Sequence, residues 1–319
     1  MTGVRKRLAR AQNELARLTI NTLTPPRRLP SPFGPELRDR VHGKTVLITG
    51  ASSGIGRGLA VRVAAEGALT IVTARRATEL ADVVTEIRDA GGQAFAIVSD
   101  LSTDSGVDQL ADEVLAEFGA PDILVNNAGR SIRRSIANSE HRLHDYERTM
   151  RTNYLGAVGL MLRLLPPMRR RGSGQVITSS SIGVVADLPR FSAYIGSKAA
   201  LEAVVRVAAV ECLSDGVVFT NVHIPLVDTD MIGPTGWGGY TALPIEDAVE
   251  MMVDAIVRRP NQLENPLGAA ALWTNRLAPG LARRGLHHFH RMIPDSPAAK
   301  SAGYQPSRYQ TKESNHEQN

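Results

Sequence analysis

Tyr194 and Lys198 stand four residues apart in "SAYIGSK", and Ser181, the last residue of "TSSS", lies thirteen residues before the tyrosine. On a helix that spacing puts a phenol and an ammonium one turn apart on the same face. A phenol, with an ordinary pKa of about 10, is un-ionised at neutral pH. A nearby ammonium favours the phenolate and lowers that pKa. The pair can then exchange a proton with a substrate oxygen, while a serine hydroxyl holds and polarises the same oxygen. The spacing alone proves little, because Tyr-x-x-x-Lys arises often on helices. The upstream elements have to decide.

The decisive one is "TGASSGIG", with Gly50, Gly54 and Gly56. It follows an apolar strand and precedes a helical stretch, where glycines permit a tight turn and close approach to a pyrophosphate. The second strand ends "TIVTARR". Where a site for NAD offers an acid to the ribose 2′-hydroxyl, this chain has Ala74, Arg75 and Arg76. Guanidinium groups there suit a 2′-phosphate, so NADPH/NADP is expected. The plainer alternative is that these arginines cap a solvent-facing strand end.

Six short apolar segments ("KTVLITG", "LTIVTA", "AFAIVSD", "DILVNNAG", "GQVITSS", "VVFTNVHI") alternate with helical stretches at 57–66, 77–90, 104–118, 144–171 and 192–213. Strands apolar throughout imply a parallel sheet covered on both faces. The expected fold is therefore α/β, a doubly wound parallel sheet (Rossmann fold) forming a single catalytic domain over 41–260. Residues 1–40 form an N-terminal extension. Residues 261–319 form a C-terminal one, a lid or interface with a disordered polar tail.

The 319 residues are 43% apolar and 22% charged, an ordinary soluble balance. Cys212 is the one thiol, which excludes an internal disulfide and is expected to be inert and buried. No apolar run reaches the length of a membrane span, and no signal peptide is apparent, so a cytoplasmic location is expected. Val4, Leu8, Ala11, Leu15 and Leu18 form one helical stripe among Arg5, Lys6, Arg7, Arg10 and Arg17. That helix could pack on the body or a second subunit, or make a peripheral membrane contact on anionic lipid. Residues 24–35, with five prolines, read as a linker. The histidines of "LHHFHR" lack accompanying carboxylates or cysteines, so no metal is expected and surface histidines are.

With these motifs in order, the chain resembles the short-chain dehydrogenase/reductase family across 41–235. The resemblance rests on "TGASSGIG", "SDL", "NNAG", "RTNYLG", "TSSSIG" and "YIGSK". It implies Tyr194 as general acid/base, Lys198 as its tuner and ribose ligand, and Asn153 as holder of a proton-relay water. It implies cofactor contacts from Ser52, Ser53 and Ile55 with the three glycines, from Asp100 and Leu101 at the adenine, and from Asn127, Ala128, Gly129 and Thr229. The triple serine leaves Ser181 and Ser180 both open as the substrate-orienting hydroxyl. The family's Pro-Gly after the sixth strand is absent: Ile224 and Pro225 stand there, so fine geometry need not transfer at that loop. The same resemblance implies a homo-oligomer, dimer or tetramer.

"IPLVDTDMIGPT", "NPLG" and "RMIPDSPAAK" are similar to a narrower group, the bacterial fatty acyl-CoA reductases, as are "NNAGRSIRRSI" and "PRFSAYIGSKAAL". The implied reaction converts an acyl thioester to an aldehyde with NADPH. Ketone reduction of a 3-oxoacyl chain or a steroid is the alternative within the family. Arg130, Arg133, Arg134, His141, Arg142 and His144 could form a basic rim for the phosphates of coenzyme A, or simply a solvated basic loop. A nucleotide-sensing scaffold would be expected to lack the serine, the tyrosine or the lysine, and all three are present. Nucleic-acid binding is not expected, since aromatics are 4% of the chain and no stacking motif accompanies the charge.

Overall fold

The computed structural model describes residues 34–231, 242–293, 295, 299 and 300. The N-terminal stripe, nearly all of the proline-rich linker, and the polar tail lie outside them. After a short helix α1 (Leu37–Val41), the elements are β1 (Thr45–Thr49), α2 (Gly54–Ala64), β2 (Leu69–Ala74), α3 (Ala77–Asp89), β3 (Gln93–Val98), α4 (Asp104–Glu117) and β4 (Ile123–Asn126). The second half holds α5 (Leu143–Met150), α6 (Gly156–Arg171), β5 (Gly174–Ser181), α7 (Ile182–Ala186), α8 (Ser192–Glu211), β6 (Val217–Ile224), α9 (Ile245–Arg258) and β7 (Gln262–Glu264). Two more helices, α10 (Pro266–Leu277) and α11 (Pro279–Met292), complete it.

The strands form one parallel sheet in the order β3-β2-β1-β4-β5-β6-β7. Its order reverses between β1 and β4, and the crevice outside the strand ends at such a reversal is where ligands enter open α/β sheets. Alternation along β1 divides the core. Val46 and Ile48 pack beneath α1, α2, α3 and α9, whereas Leu47 packs beneath α4, α6 and α8. All three are fully buried, as a parallel sheet sheathed on both faces requires.

Four features were not expected. The helix foreseen at 144–171 is divided by a π-turn, Arg151–Leu155, which carries Asn153. Such bulges re-aim side chains and occur often at functional sites. The sheet continues past residue 260, because β7 pairs with β6 at 262–264. The short helix α7 follows β5 directly. "NPLG" turns out to start a helix: Asn265 Oδ1 accepts from Gly268 N at 2.8 Å, with Pro266 in the first turn.

The start of α2 is packed so closely on β1 that only glycine fits. A Cβ on Gly56 would lie 2.5 Å from Gly50 O and 2.9 Å from Ala51 Cα. Alanine would gain about 1 kcal/mol of helix propensity, but overpacking against backbone costs typically 1–3 kcal/mol or more. Gly56→Ala is therefore expected to lower unfolding free energy by about 1–2 kcal/mol in urea titration. An unchanged midpoint would show that the loop can shift freely.

Candidate active site

The loop between β1 and α2 lies across the β1/β4 crevice. Gly50 has φ +66° and a Cβ there would lie 2.7 Å from Ala128 Cα, so the two loops approach backbone to backbone at this point. Gly54, at φ +55°, also faces Thr229, whose Cγ2 would sit 3.1 Å from an added Cβ. Ile55 follows at the start of α2 and packs partly buried on the core. Asn127 is pinned by its Nδ2 on Thr49 O at 2.9 Å, and Thr49 Oγ1 accepts from Asn127 N at 3.0 Å and Ala128 N at 2.9 Å.

A cleft of about 180 Å³ opens above this loop. Its walls bring together Gly50, Ser52, Ser53, Arg75, Arg76, Asp100, Leu101, Asn127, Ala128 and Gly129, all foreseen from sequence, with Thr73, Ser99 and Thr152, which were not. Arg76 reaches across the glycine loop. Its Nη2 donates to Ser52 Oγ at 2.9 Å and Ser53 Oγ at 2.8 Å, and Nη1 pairs with Glu79 at 3.2 Å. Arg75 is exposed at the rim. Burial pushes the Asp100 carboxyl up, but hydrogen bonds from Ser102 N (3.0 Å) and Oγ (2.8 Å), with the charges of Arg75 and Arg130, hold it below the ordinary range. A cradle that side chains would fill, lined by guanidinium groups and a carboxylate, fits a dinucleotide.

Beyond the cleft, β5 and α8 bring the polar residues together. Lys198 is 3% exposed and its Nζ donates to Ser179 O at 2.7 Å. Asn153 is fully buried: its Nδ2 donates to Arg130 O and Ser197 Oγ, both at 2.9 Å, and its Oδ1 accepts from Arg130 N at 2.7 Å. Gly129 lies between them, with Asn153 Oδ1 and Lys198 Nζ each 3.5 Å from where its Cβ would be. Tyr194 is half-buried, its ring 6.3 Å from that of Phe191.

The triple serine divides by strand alternation. Ser181 forms a hydrogen bond with Tyr194 and accepts from Gly183 N at 3.1 Å. Ser180 points to the other face, where its hydroxyl donates to Glu202 Oε1. Glu202 also contacts His223 Nε2 at 2.9 Å, and His223 is fully buried in the β6 position paired with Ser180. This carboxylate and imidazole were missed. A Glu four residues after Lys198 on the same helix was the available signal.

The ionisation of the pair departs from the sequence expectation. Burial pushes the Tyr194 phenol up to about 12, against the pull of Ser181's hydrogen bond, and the Glu202 charge pushes the same way. Lys198's ammonium is turned to Ser179 O and does not lower it. Burial pulls Lys198 down to about 8, opposed by Glu202. At neutral pH the phenol is protonated and most of the lysine charged.

The loop foreseen as a basic rim faces inward. Asp145, 2% exposed, gathers Arg134 (3.1 Å), Arg142 (3.3 Å), Arg148 (2.5 Å) and His144 (3.4 Å). Arg133 is 5% exposed and Arg142 8%. The buried carboxylate consumes much of this basic charge in holding the loop together, which neither foreseen reading anticipated. Cys212 is buried, and burial pushes its thiol up. Among the described residues there is no metal-binding cluster, and no helix is long and apolar enough to cross a membrane.

The C-terminal segment is tied to the substrate side by Asp295. Its carboxylate accepts from Ser135 N (3.2 Å), Ser135 Oγ and Asn138 Nδ2 (2.5 Å), and pairs with Arg190 Nη1 at 2.7 Å. Arg190 also donates to His290 O at 2.9 Å, and Arg134 donates to Ala299 O. One buried acid thus joins the loop after β4, the approach to α8, and the chain beyond α11.

Comparison with known proteins agrees with this geometry. The sequence model described as short chain dehydrogenase matches residues 44–236. The fatty acyl-CoA reductase of Acinetobacter baylyi is 45% identical over 263 residues, 82% of this chain and 89% of its own. A fatty acyl-CoA reductase of Mycobacterium tuberculosis is 41% identical, over 74% of this chain and 81% of its own. A 3-oxoacyl (acyl-carrier-protein) reductase from Agrobacterium tumefaciens, solved with NADP bound, superposes with a TM-score of 0.64 at 26% identity, covering 70% of this chain and 93% of its own.

The Asp295 tie has a pH signature. Burial raises this carboxyl, but hydrogen bonds from Ser135, Asn138 and Arg190 with the Arg190 charge bring it down to about 2. A carboxyl depressed on folding contributes stability above its unfolded value of about 4, lost as pH falls through its folded value. Wild-type stability should therefore decline between about pH 4 and pH 2. Asp295→Asn should flatten part of that limb and lower stability at pH 7 by on the order of 3 kcal/mol, through the unpaired Arg190. Denaturant titrations at pH 2.5, 4 and 7 read both effects, and parallel acid limbs in the two proteins would refute the assignment.

Proposed function

The chain belongs to the short-chain dehydrogenase family, a family of oxidoreductases, and on that premise we propose that it reduces a fatty acyl-CoA thioester to an aldehyde with NADPH. The observation that carries the reading is the Tyr194 phenol hydrogen-bonded to Ser181, both half-buried on the C-terminal side of the sheet. Similarity to fatty acyl-CoA reductases over most of the chain supports the thioester as substrate.

The glycine loop, Asp100 and Asn127–Gly129 would hold the dinucleotide, with Arg75 and Arg76 toward a 2′-phosphate and Lys198 and Thr229 toward the nicotinamide end. When bound, the reduced nicotinamide supplies hydride to the substrate carbon. Ser181 and Tyr194 hold the thioester oxygen, and as that oxygen gains charge the phenol gives it a proton. The product of this step is a hemithioacetal. Returning the hydroxyl proton to the Tyr194 phenolate restores the C=O bond as the C–S bond breaks, and the departing thiolate takes up a proton to leave as free thiol.

A phenol held near pKa 12 is a proton donor throughout the physiological range, which suits the reductive direction. Lys198, at about 8, carries positive charge below that pH and would grip the nicotinamide ribose. Asn153, through Arg130 and Ser197, keeps the π-turn against α8 and so fixes the distance between cleft and lysine.

The test mixes purified protein, NADPH and palmitoyl-CoA, following NADPH absorbance and thiol release together. Both should proceed at equal rates and fall at least a hundredfold in Tyr194→Phe. NADPH consumption only with ketones would instead establish the 3-oxoacyl or steroid alternative. For the cofactor, Arg76→Ala removes charge-assisted hydrogen bonds that contribute about 1.5–3 kcal/mol. The KM for NADPH should rise roughly ten- to a hundredfold while that for NADH stays within about twofold. Equal effects on both would mean that Arg76 merely supports the loop.

A further inference from the structure

A second cavity, about 990 Å³, lies between α8 and the C-terminal helices. Ser192 and Ile195 line it from α8, on either side of Tyr194 in the sequence. These residues span about 4.5 Å of helix axis, so the cavity adjoins the turn that presents the phenol. Ile136, Leu188 and Leu286 supply apolar wall. The opposite side is a stripe of α11. Arg283, His287, His290 and Arg291 recur at spacings of four, three and one, one face of a helix, and all four line the cavity.

The charge of that wall is largely uncompensated. Asp295 is occupied by Arg190, and Asp187 receives Asn275 from α10 at 3.5 Å. Arg283, Arg291 and Lys300 have no acidic partner among the described residues. His290 Nδ1 and Arg190 Nε are shut off from water with no hydrogen-bond partner among the described residues. A ligand in the open cavity would meet not these atoms but the exposed side chains of Arg283 and Arg291.

We propose that this cavity seats the phosphate-bearing carrier of the substrate, coenzyme A, with Arg283 and Arg291 as its anion anchors. The proposal rests on the thioester reading and moves carrier recognition from the loop after β4 to the C-terminal extension. Guanidinium groups on one helical face match phosphate oxygens bidentately. The apolar wall along Leu188 and Ile195 suits the methylene-rich arm running toward Tyr194. The volume is at the upper end of ligand pockets and matches a bulky nucleotide-bearing group. A simple ketone would leave the cationic stripe unused.

The experiment uses the full chain and coenzyme A itself, without an acyl group, by isothermal titration calorimetry. Arg283→Glu/Arg291→Glu is compared with a charge-matched control, Arg276→Glu/Arg284→Glu, at exposed positions that do not line the cavity. NADPH titration of each variant verifies an intact fold. The cavity variant should lose at least tenfold in coenzyme A affinity and gain a similar factor in KM for palmitoyl-CoA, with the control near wild type. Equal losses in both variants, or none in either, would overturn the proposal. If wild type binds coenzyme A through this stripe yet releases no thiol from palmitoyl-CoA, the cavity assignment stands and the thioester reading falls. If palmitoyl-CoA is reduced with the same KM in the cavity variant, the thioester reading stands and the cavity assignment falls.

Discussion

Burying one ammonium organises this molecule. A lone lysine charge in the interior costs several kcal/mol, and Lys198 is 3% exposed. Three features make the burial tolerable. Ser179 offers its carbonyl oxygen, Glu202 places a carboxylate one turn further along α8, and the cofactor cleft lies just beyond Gly129. Each fixes something else. Using Ser179's backbone sets the height of α8 against β5. Strand alternation then sends Ser180 to the interior and Ser181 to the tyrosine. Glu202, itself buried, needs donors and finds them in Ser180 and His223, which fixes β6 in turn.

Much of this was legible in the chain because it is local. Glycines in a strand-to-helix turn, apolar six-residue strands, and a Tyr-Lys pair each involve neighbours within one or two turns. Such constraints leave a spacing behind. Asp295 left none: its partners lie across loops, and it meets Ser135 across 160 positions of chain. Arginines near a motif looked like a solvent-facing rim because composition cannot show a buried carboxylate among them. The π-turn at Asn153 was hidden for a similar reason, since its sequence reads as ordinary helix. Choosing between Ser180 and Ser181 needed the strand's exact end and the face occupied by Glu202.

The reversal of the basic surface is instructive. Arg134 and Arg142 in the loop after β4 are drawn into Asp145, so their charge stabilises a scaffold. Among the described residues Arg283 and Arg291 on α11 have no such acid, and both line a cavity. The helical period over 283–291 was present in "RRGLHHFHR", but its meaning depended on what the stripe faced. With α10 tied to the α7 turn by Asn275 and the chain beyond α11 tied down by Asp295, that stripe lines a cavity with α8. In the proposed reading the C-terminal extension is a wall of the substrate site.

The phenol's ionisation connects these layers. An isolated Tyr-Lys pair suggests a phenolate, the form that would remove a proton from an alcohol. Here burial and Glu202 favour the neutral phenol, and the lysine points to a carbonyl. In the proposed reaction hydride arrives from the cleft side, the thioester from the cavity side, and the proton from the residue between them. Glu202 serves two ends. It favours the charged form of Lys198 and raises the Tyr194 phenol further, after the larger effect of burial, so one carboxylate bears on both members of the pair.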